Sequence, residues 1–313
     1  MSNFVESDYL ALYPDVAEAV NKGFIRSGYE HFKKHGEAEG RLPSIFSEVT
    51  TREIAVFQLI DKNGLGLEIG PSHNPIAPKK KGYKVHVLDH ASADDLRTKY
   101  KDHGLNLENI EEVDFIWKGQ PLTELIGNRN CYDWIIASHV VEHVPDLVSF
   151  LQQCEELLKP SGVLSLVIPD KRYCFDHFQP LSTTGLLLDA HFYKRSRPSP
   201  GQVFDNIANA SNFNGNIAWS RNHGHANNLN HTLYDAKVNY ENSLLRDEYI
   251  DVHCWRFTPE SFKLIISDLL ELGLLRLEPK ISYPTNGCEF YVTLGGLTTE
   301  TAIKLENRLE NLM

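Results

Sequence analysis

The sequence predicts an α/β fold built on a mostly parallel sheet. Five short apolar runs have the length of strands and lie at 65–69, 84–88, 113–117, 133–137 and 163–168. They are apolar throughout rather than alternating, which is typical of parallel strands covered on both faces. A helical pattern separates the last two runs. Strands that alternate with helices indicate βαβ units, with a ligand crevice at the carboxyl ends of the strands.

The helices of this region have recognisable ends. Asp146 is a suitable N-cap for a helix that runs to Leu158, and the sequence Lys-Pro-Ser-Gly at 159–162 ends it. Thr258 is a second suitable N-cap, with a proline at the first helical position. Two final apolar runs, around 274–282 and 288–294, are close enough in sequence to pair antiparallel.

Residues 1–44 are predicted to form a separate small helical module, and residues 45–313 the main domain. In the module, Pro14 begins a helix that runs to about Asn21, and Ser27 caps a second helix through His35. A third helix, roughly 49–62, leads into the first strand. The apolar residues of the module would share one core: Tyr9, Leu12, Val16, Val20, Phe24, Tyr29 and Phe32.

Residues 171–250 interrupt the alternation of strands and helices. The segment is too long for a simple loop, so we expect a lid or an inserted subdomain. It contains nine asparagines between 206 and 230 and histidines at 223, 225 and 231. Zinc requires three or four converging ligands, and this spacing matches no such site, so no metal is predicted. A segment that contacts polyhydroxylated ligands is favoured over a plain polar loop.

Composition excludes several classes of function. The 313 residues carry a formal net charge of −11, which argues against a nucleic-acid binder because phosphate contacts need a basic surface. The five cysteines are scattered without a Cys-x-x-Cys pair. Neither a secretory signal nor an apolar stretch long enough to span a bilayer is visible. We therefore expect a cytoplasmic protein without a membrane span.

Two strand ends carry acids that indicate a nucleoside site. The first strand ends in Glu68-Ile-Gly70 before a polar turn, and the second ends in Asp89. An acid at the end of the second strand can accept hydrogen bonds from both ribose hydroxyls. A dinucleotide site would need further glycines, since the backbone must approach a pyrophosphate closely. The turn after Gly70 has none, so a nucleoside without a pyrophosphate is favoured.

Longer motifs around this turn resemble a known family. Leu67-Glu-Ile-Gly-Pro-Ser72, Val87-Leu-Asp89, the block Tyr132–Asp146 and the block Leu157–Leu164 resemble class I S-adenosylmethionine-dependent methyltransferases. The resemblance covers roughly 64–170 and resumes after Phe257. It implies a Rossmann-like sheet of seven strands with the last strand antiparallel. It also implies S-adenosyl-L-methionine as the cofactor.

The resemblance places seven residues in the cofactor site: Glu68, Gly70, His73, Asp89, Gln120, Ser138 and His139. The first two fall in the motif that holds the methionine end, and Asp89 falls on the ribose-binding acid. His73 lies beside the positions, Ser72 and Asn74, where the family has glycines, and it would face the sulfonium. The family's acid near the adenine amine is absent, so Gln120 or a backbone amide would replace it.

The predicted reaction is methyl transfer to a small polar acceptor by in-line displacement. An alcohol acceptor must lose a proton, so a base is required, and the candidates are His177 and His223, with Asp170 at the end of the fifth strand as an orienting residue or a base. The N-terminal module resembles short helical modules that accompany bacterial glycosyltransferase domains. By this association the acceptor is a hydroxyl of a sugar or glycan intermediate, in keeping with bacterial glycan modification. Alternatively, the module only docks on the main domain or on a protein partner.

Two rival functions remain open. The altered first motif also fits a catalytically inactive methyltransferase-like binding scaffold. A nucleotide-dependent oxidoreductase acting on sugars is the second rival, and it would bind nicotinamide dinucleotides instead.

Overall fold

A computed structural model of the chain describes residues 4–36, 39, 51–220, 225–299 and 301. The chain divides into two compact units, Met1–Gln58 and Leu59–Met313.

The first unit is helical, as predicted. Its helices are α1 (Glu6–Leu12), α2 (Pro14–Asn21), α3 (Gly28–His31), which continues as a π-helix over Phe32–Gly36, and α4 (Thr51–Phe57). The Ser27 hydroxyl accepts a hydrogen bond from the backbone N–H of Glu30 and caps α3, as the sequence predicted. Within its described residues, α4 is shorter than the predicted helix over 49–62.

The core of this unit is smaller than predicted. Tyr9, Val16 and Phe32 are buried together. Phe24 and Tyr29, which were also expected in the core, are 77% and 50% exposed. Phe24 follows a left-handed turn at Gly23 (φ +74°), outside the helices, so the helical spacing that predicted its burial does not apply there.

The second unit contains a seven-stranded sheet, which confirms the predicted fold class. Its strands are β1 (Gly66–Ile69), β2 (Val85–Asp89), β3 (Phe115–Ile116), β4 (Tyr132–Ser138), β5 (Leu158–Pro169), β8 (Leu277–Asn286) and β9 (Glu289–Gly296); β6 (Ser211–Asn212) and β7 (Asn228–Leu229) form a separate pair. The order is β3-β2-β1-β4-β5-β9-β8. Strands β1 to β5 are parallel, and β9 is antiparallel to β5 and β8.

This order places a ligand crevice at a defined point. The chain runs outward from β1 to β3 on one side and from β4 to β5 on the other, so the strand order reverses between β1 and β4. In open α/β sheets, ligands bind outside the carboxyl ends of the strands at such a switch point. The loops after β1, β2 and β4 therefore form the edge where a cofactor is expected.

Helices cover the sheet and fill the segment after β5. They are α5 (Ala93–Tyr100), α6 (Leu122–Ile126), α7 (Leu147–Leu157), α8 (Thr184–Phe192), α9 (Pro200–Asn209), α10 (Leu233–Leu245) and α11 (Pro259–Glu271). The predicted caps are present, because Asp146 accepts the N–H of Ser149 and Thr258 forms a capping box with Ser261. No helix in the described part of the chain is long and apolar enough to cross a membrane.

The sheet is packed closely around one large side chain. Trp134 on β4 is fully buried, and a Cβ added to Gly66 on β1 would lie 2.1 Å from its ring. Glycine on β1 thus makes room for the tryptophan of the neighbouring strand. The buried face of α7, which includes Phe150 and Leu151, packs in one cluster with Tyr132, Ile135 and Ala137 of β4.

Candidate functional site

The turn after β1 requires glycine at position 70. Gly70 has a left-handed backbone (φ +65°), and its N–H donates to the Leu88 carbonyl at 2.7 Å. A Cβ here would lie 2.9 Å from Cγ2 of Val140, in the loop after β4. The loops that follow β1 and β4 therefore approach each other closely at this residue. Such a tight turn suits close contact between the backbone and a ligand.

Glu68 organises this turn from within the sheet. It is buried, and its Oε1 and Oε2 accept hydrogen bonds from the N–H groups of Ile76 (2.6 Å) and Ala77 (3.0 Å). Both oxygens thus bind backbone donors of the loop that the resemblance assigns to the methionine end of the cofactor. Glu68 holds the shape of this loop, which is a positioning role.

Asp89 joins the end of β2 to the same loop. Its Oδ2 accepts the N–H of Ser72 at 2.9 Å, and its Oδ1 accepts both the N–H and Nδ1 of His90, each at 2.7 Å. A carboxylate has about four acceptor positions, so these three bonds leave capacity for a ribose hydroxyl. The residue is suitably placed for the predicted ribose contact.

His73 and Gln120 differ in their availability to a ligand. The Nδ1 of His73 is buried and has no hydrogen-bond partner among the described residues, and its ring lies 5.0 Å from that of Tyr100. Gln120 instead closes its own turn, since Oε1 accepts the N–H of Lys118 at 2.6 Å and Nε2 donates to the Ile116 carbonyl at 3.3 Å. The unsatisfied His73 fits a ligand-lining role, whereas Gln120 must release local bonds to contact adenine.

Strand β4 ends at Ser138, and the loop after it begins with His139. His139 has a left-handed backbone (φ +54°), a conformation that is costly for a residue with a side chain and often marks functional sites. Its Nε2 lies 2.7 Å from Oε2 of Glu289 on β9, and its Nδ1 lies 3.5 Å from Oε1 of Glu142. The imidazole is thus held between two carboxylates at the cofactor edge.

Of the three predicted catalytic residues, Asp170 is the most constrained. It lies fully buried just after β5, and it accepts hydrogen bonds from Nε (2.9 Å) and Nη2 (2.6 Å) of Arg172 and from the Thr285 hydroxyl. The hydrogen bond to Asp170 raises the pKa of Arg172, because it favours the charged guanidinium. With both oxygens engaged, Asp170 is built to position its neighbours.

His177 lies close to this ion pair. Its Nδ1 is 2.8 Å from the Arg172 carbonyl, which can only accept a hydrogen bond, so Nδ1 carries the proton and Nε2 of the neutral ring is an acceptor. The ring lies 5.9 Å from that of Trp219 and 5.8 Å from that of His225. His223, the third predicted residue, lies outside the described residues.

A cavity of about 350 Å³ adjoins these residues. Its walls combine aromatic rings with amide, hydroxyl and thiol groups, from Phe213, Asn216, Ala218, Trp219, Ser220, Gly287 and Cys288. The Cys288 carbonyl accepts the N–H of Asp170 at 2.8 Å, which places the cavity at the carboxyl end of β5. The Nε1 of Trp219 is buried and has no hydrogen-bond partner among the described residues.

A second group of polar side chains, buried between loops, was not recognised in the sequence. Glu142 and His143 follow β4, Asp176 follows β5, and His253 precedes α11. The Nδ1 of His253 lies 2.5 Å from Oδ2 of Asp176, and its Nε2 lies 3.9 Å from Oε1 of Glu142. These residues come from three distant segments without a shared motif, so no pattern in the sequence indicates that they meet.

Known proteins resemble this chain at several levels. Residues 45–266 match the family model of a methyltransferase domain. The chain is similar to the mitochondrial ubiquinone biosynthesis O-methyltransferases of Rattus norvegicus (46% identity over 44 residues, 14% of this chain and 13% of that protein) and Mus musculus (32% over 74 residues, 23% and 20%). The matched segments thus span a fifth or less of the length of these relatives.

Among solved structures, similar ones include a SAM-dependent methyltransferase from Methanosarcina mazei and the CcbJ methyltransferase from Streptomyces caelestis. The first has 16% identity and a TM-score of 0.40, over 78% of this chain and 97% of that chain. The second has 14% identity and a TM-score of 0.41, over 79% and 89%.

The family match covers more than half of the chain and includes every strand from β1 to β5. The residues at the crevice fit an S-adenosyl nucleoside, because Gly70 admits close backbone contact, Asp89 retains acceptor capacity and His73 presents an unsatisfied buried nitrogen. The chain therefore belongs to the family of methyltransferase domains, with S-adenosyl-L-methionine as its cofactor.

Proposed function

We propose that this protein transfers a methyl group from S-adenosyl-L-methionine to a hydroxyl of a small polar acceptor, and that the acceptor is a sugar or glycan intermediate. When bound, the cofactor supplies a methyl group on a sulfonium, which is already activated for displacement. The observation that carries the proposal is the position of the aromatic and polar cavity beside His177, at the same edge of the sheet as the cofactor loops.

The lining of the cavity supports a carbohydrate acceptor. The rings of Phe213 and Trp219 offer apolar faces for the C–H groups of a sugar, while Asn216 offers an amide that both donates and accepts hydrogen bonds. The buried indole N–H of Trp219 needs an acceptor, which a sugar oxygen would supply. A mixture of ring faces and a few polar groups is typical of small-molecule pockets.

His177 is the base that we propose for the acceptor hydroxyl. The Arg172 carbonyl fixes the proton on Nδ1, so Nε2 is left to take the proton of the acceptor. Asp170 acts through Arg172, because its ion pair holds the residue whose carbonyl orients the imidazole. Positioning of the acceptor against the cofactor supplies the rest of the rate enhancement. In favourable cases positioning lowers the activation free energy by about 7–11 kcal/mol.

The segment 171–250, which carries Phe213 and Trp219, is proposed to act as a lid over the acceptor. The N-terminal module, residues 1–44, is proposed to bind a glycan-related partner.

The rival functions make different predictions, because an inactive scaffold would bind the cofactor without turnover and an oxidoreductase would bind nicotinamide dinucleotides.

Ligand binding is tested first, by thermal shift with S-adenosylmethionine, S-adenosylhomocysteine, NAD and NADP. Stabilisation by the two sulfur nucleosides alone is expected, since a ligand that binds only the native state raises the melting temperature. Stabilisation by NAD or NADP alone would contradict the proposal and favour the oxidoreductase.

Turnover is tested next, as release of S-adenosylhomocysteine with a panel of sugars, sugar nucleotides and small phenols. His177→Gln should lower turnover by about 10²–10⁴-fold and leave cofactor affinity unchanged, with His103→Gln, an exposed histidine of the cofactor domain, as the matched control. Equal turnover in the two variants would refute the role of His177. Absence of turnover across the panel, with the cofactor bound, would favour the scaffold.

A further inference from the structure

One carboxylate and two imidazoles meet in the interior of the cofactor domain. Glu142, His143 and His253 each offer one ligand atom, and these atoms all lie within 4.8 Å of one another. We propose that these three residues bind a divalent transition-metal cation of the zinc class. The cation site is argued from these residues alone and does not depend on the proposed acceptor.

The buried carboxylate of Glu142 is the strongest evidence for a bound cation. Its side chain is fully buried, and neither of its oxygens has a hydrogen-bond partner among the described residues. The nearest imidazole nitrogens are Nδ1 of His139 at 3.5 Å and Nε2 of His253 at 3.9 Å, both beyond hydrogen-bond distance. A buried carboxylate without hydrogen bonds is costly, and a cation among these groups would compensate its charge.

His253 is oriented as metal-bound histidines are. The Nδ1 of His253 makes a hydrogen bond with Oδ2 of Asp176 at 2.5 Å. The Nδ1 of His143 lies 2.8 Å from Oδ1 of Asp251, but without the geometry of a hydrogen bond. Metal-bound histidines usually donate their other ring N–H to a carboxylate, which fixes the tautomer and aims the free nitrogen at the metal. In this arrangement Nε2 of His253, 3.9 Å from Oε1 of Glu142, is left as its ligand atom.

The backbone holds the two ligand-bearing segments together. The N–H groups of Cys254 (2.6 Å) and Trp255 (3.1 Å) both donate to the Glu142 carbonyl. The Trp255 indole donates to the Val144 carbonyl at 2.6 Å. Because these bonds lock the segment before α11 against the loop after β4, the ligands are gathered before any cation arrives.

The chemical identity of the three ligand groups determines which cations can bind. Two imidazoles and one carboxylate suit zinc and its neighbours, whereas magnesium and calcium prefer oxygen ligands. Three protein ligands leave a fourth position of a tetrahedral site for water or a substrate oxygen. Because Nδ1 of His139 lies 3.5 Å from Oε1 of Glu142, a cation here would lie near the start of the loop after β4, at the cofactor edge.

The experiment uses the full chain without a histidine tag, stripped with chelator and titrated with ZnCl₂ by calorimetry and with CoCl₂ by visible absorption. One zinc per chain is expected, and the cobalt spectrum should indicate nitrogen and oxygen ligands. Glu142→Gln and His253→Gln should each weaken zinc binding by more than about 100-fold, and Asp176→Asn by about 10–100-fold as for an outer partner. His103→Ala controls for adventitious binding to a surface histidine.

Circular dichroism of each stripped variant establishes that it is folded, and a metal-dependent rise of the melting temperature provides a second readout. Failure of the wild-type chain to bind zinc stoichiometrically would overturn the proposal. So would unchanged affinity in folded Glu142→Gln and His253→Gln, or a cobalt spectrum dominated by thiolate ligands. None of these outcomes depends on turnover, so the cation site and the proposed methyl transfer fail separately.

Discussion

Gly70 joins two loops of the cofactor site, so Gly70→Ala tests whether their close approach matters. The structure gives two separate costs for this substitution. The left-handed backbone (φ +65°) costs an L-residue roughly 1–2 kcal/mol. The new Cβ, 2.9 Å from Cγ2 of Val140, adds overpacking of about 1–3 kcal/mol. We therefore expect the free energy of unfolding to fall by about 2–5 kcal/mol.

Two further variants separate these costs. Gly127→Ala is the matched control, because Gly127 is also left-handed (φ +75°) but a Cβ added there would meet nothing within 4 Å, so it should lose only the backbone part. Val140→Ala removes the clashing methyl groups, and a double-mutant cycle with Gly70→Ala should show a favourable coupling of about 1–3 kcal/mol.

Urea denaturation measures the stability of wild type and all the variants, and calorimetry measures their affinity for S-adenosylmethionine. Gly70→Ala should also weaken cofactor binding more than Gly127→Ala does, because only the former displaces the two loops. A coupling energy near zero, or equal losses of stability in Gly70→Ala and Gly127→Ala, would refute the argument that steric contact between the loops dictates glycine at this position.

Three further predictions concern the same sheet. Asp89→Ala should abolish measurable S-adenosylmethionine binding by calorimetry, because it removes the proposed ribose acceptor and the bond to the Ser72 N–H; unchanged affinity would contradict the site assignment. Glu68→Gln should leave one buried backbone N–H unsatisfied and lower the free energy of unfolding by about 1–3 kcal/mol, measured by urea denaturation, and a neutral effect would argue against its positioning role. The hydrogen bond from Lys159 lowers the pKa of Asp133 below its usual 3.8, so its stabilising effect should be present above that pH and lost as the pH falls through the lowered value. The difference in melting temperature between wild type and Asp133→Asn should therefore shrink in acid, and a difference independent of pH would contradict the ion pair.

Local signals in the sequence were sufficient for most elements of the fold. The caps at Asp146 and Thr258 are short-range hydrogen bonds between neighbouring residues, so the sequence contains everything they need. The apolar runs located the strands for a similar reason, since burial on both faces of a sheet requires continuous apolar sequence. The strand predicted over 113–117 is shorter in the structure, where only Phe115 and Ile116 form β3 at the edge of the sheet.

Prediction was weaker where burial depends on the path of the chain. Phe24 fits the apolar spacing of the N-terminal helices but lies beyond a left-handed glycine, and it is exposed. Asp170 was predicted as an orienting residue or a base from its position after β5, and the sequence alone did not decide between the two. The structure shows both of its oxygens engaged by Arg172 and Thr285, and the latter lies on a hairpin 115 residues further along the chain.

The parallel sheet, its closing antiparallel strands and the cofactor edge follow from the amino-acid sequence, because periodicity, caps and the turn at Gly70 are local properties. The surroundings of Glu142 depend instead on the folded chain, which leaves its oxygens without a hydrogen-bond partner among the described residues. The fold also brings His253 beside Glu142 and Asp176 beside His253. Glu142 and His253 are far apart in the sequence, and they meet because hydrogen bonds fasten the segment before α11 to the loop after β4. The spacing of residues in a single sequence does not indicate that two distant loops are in contact.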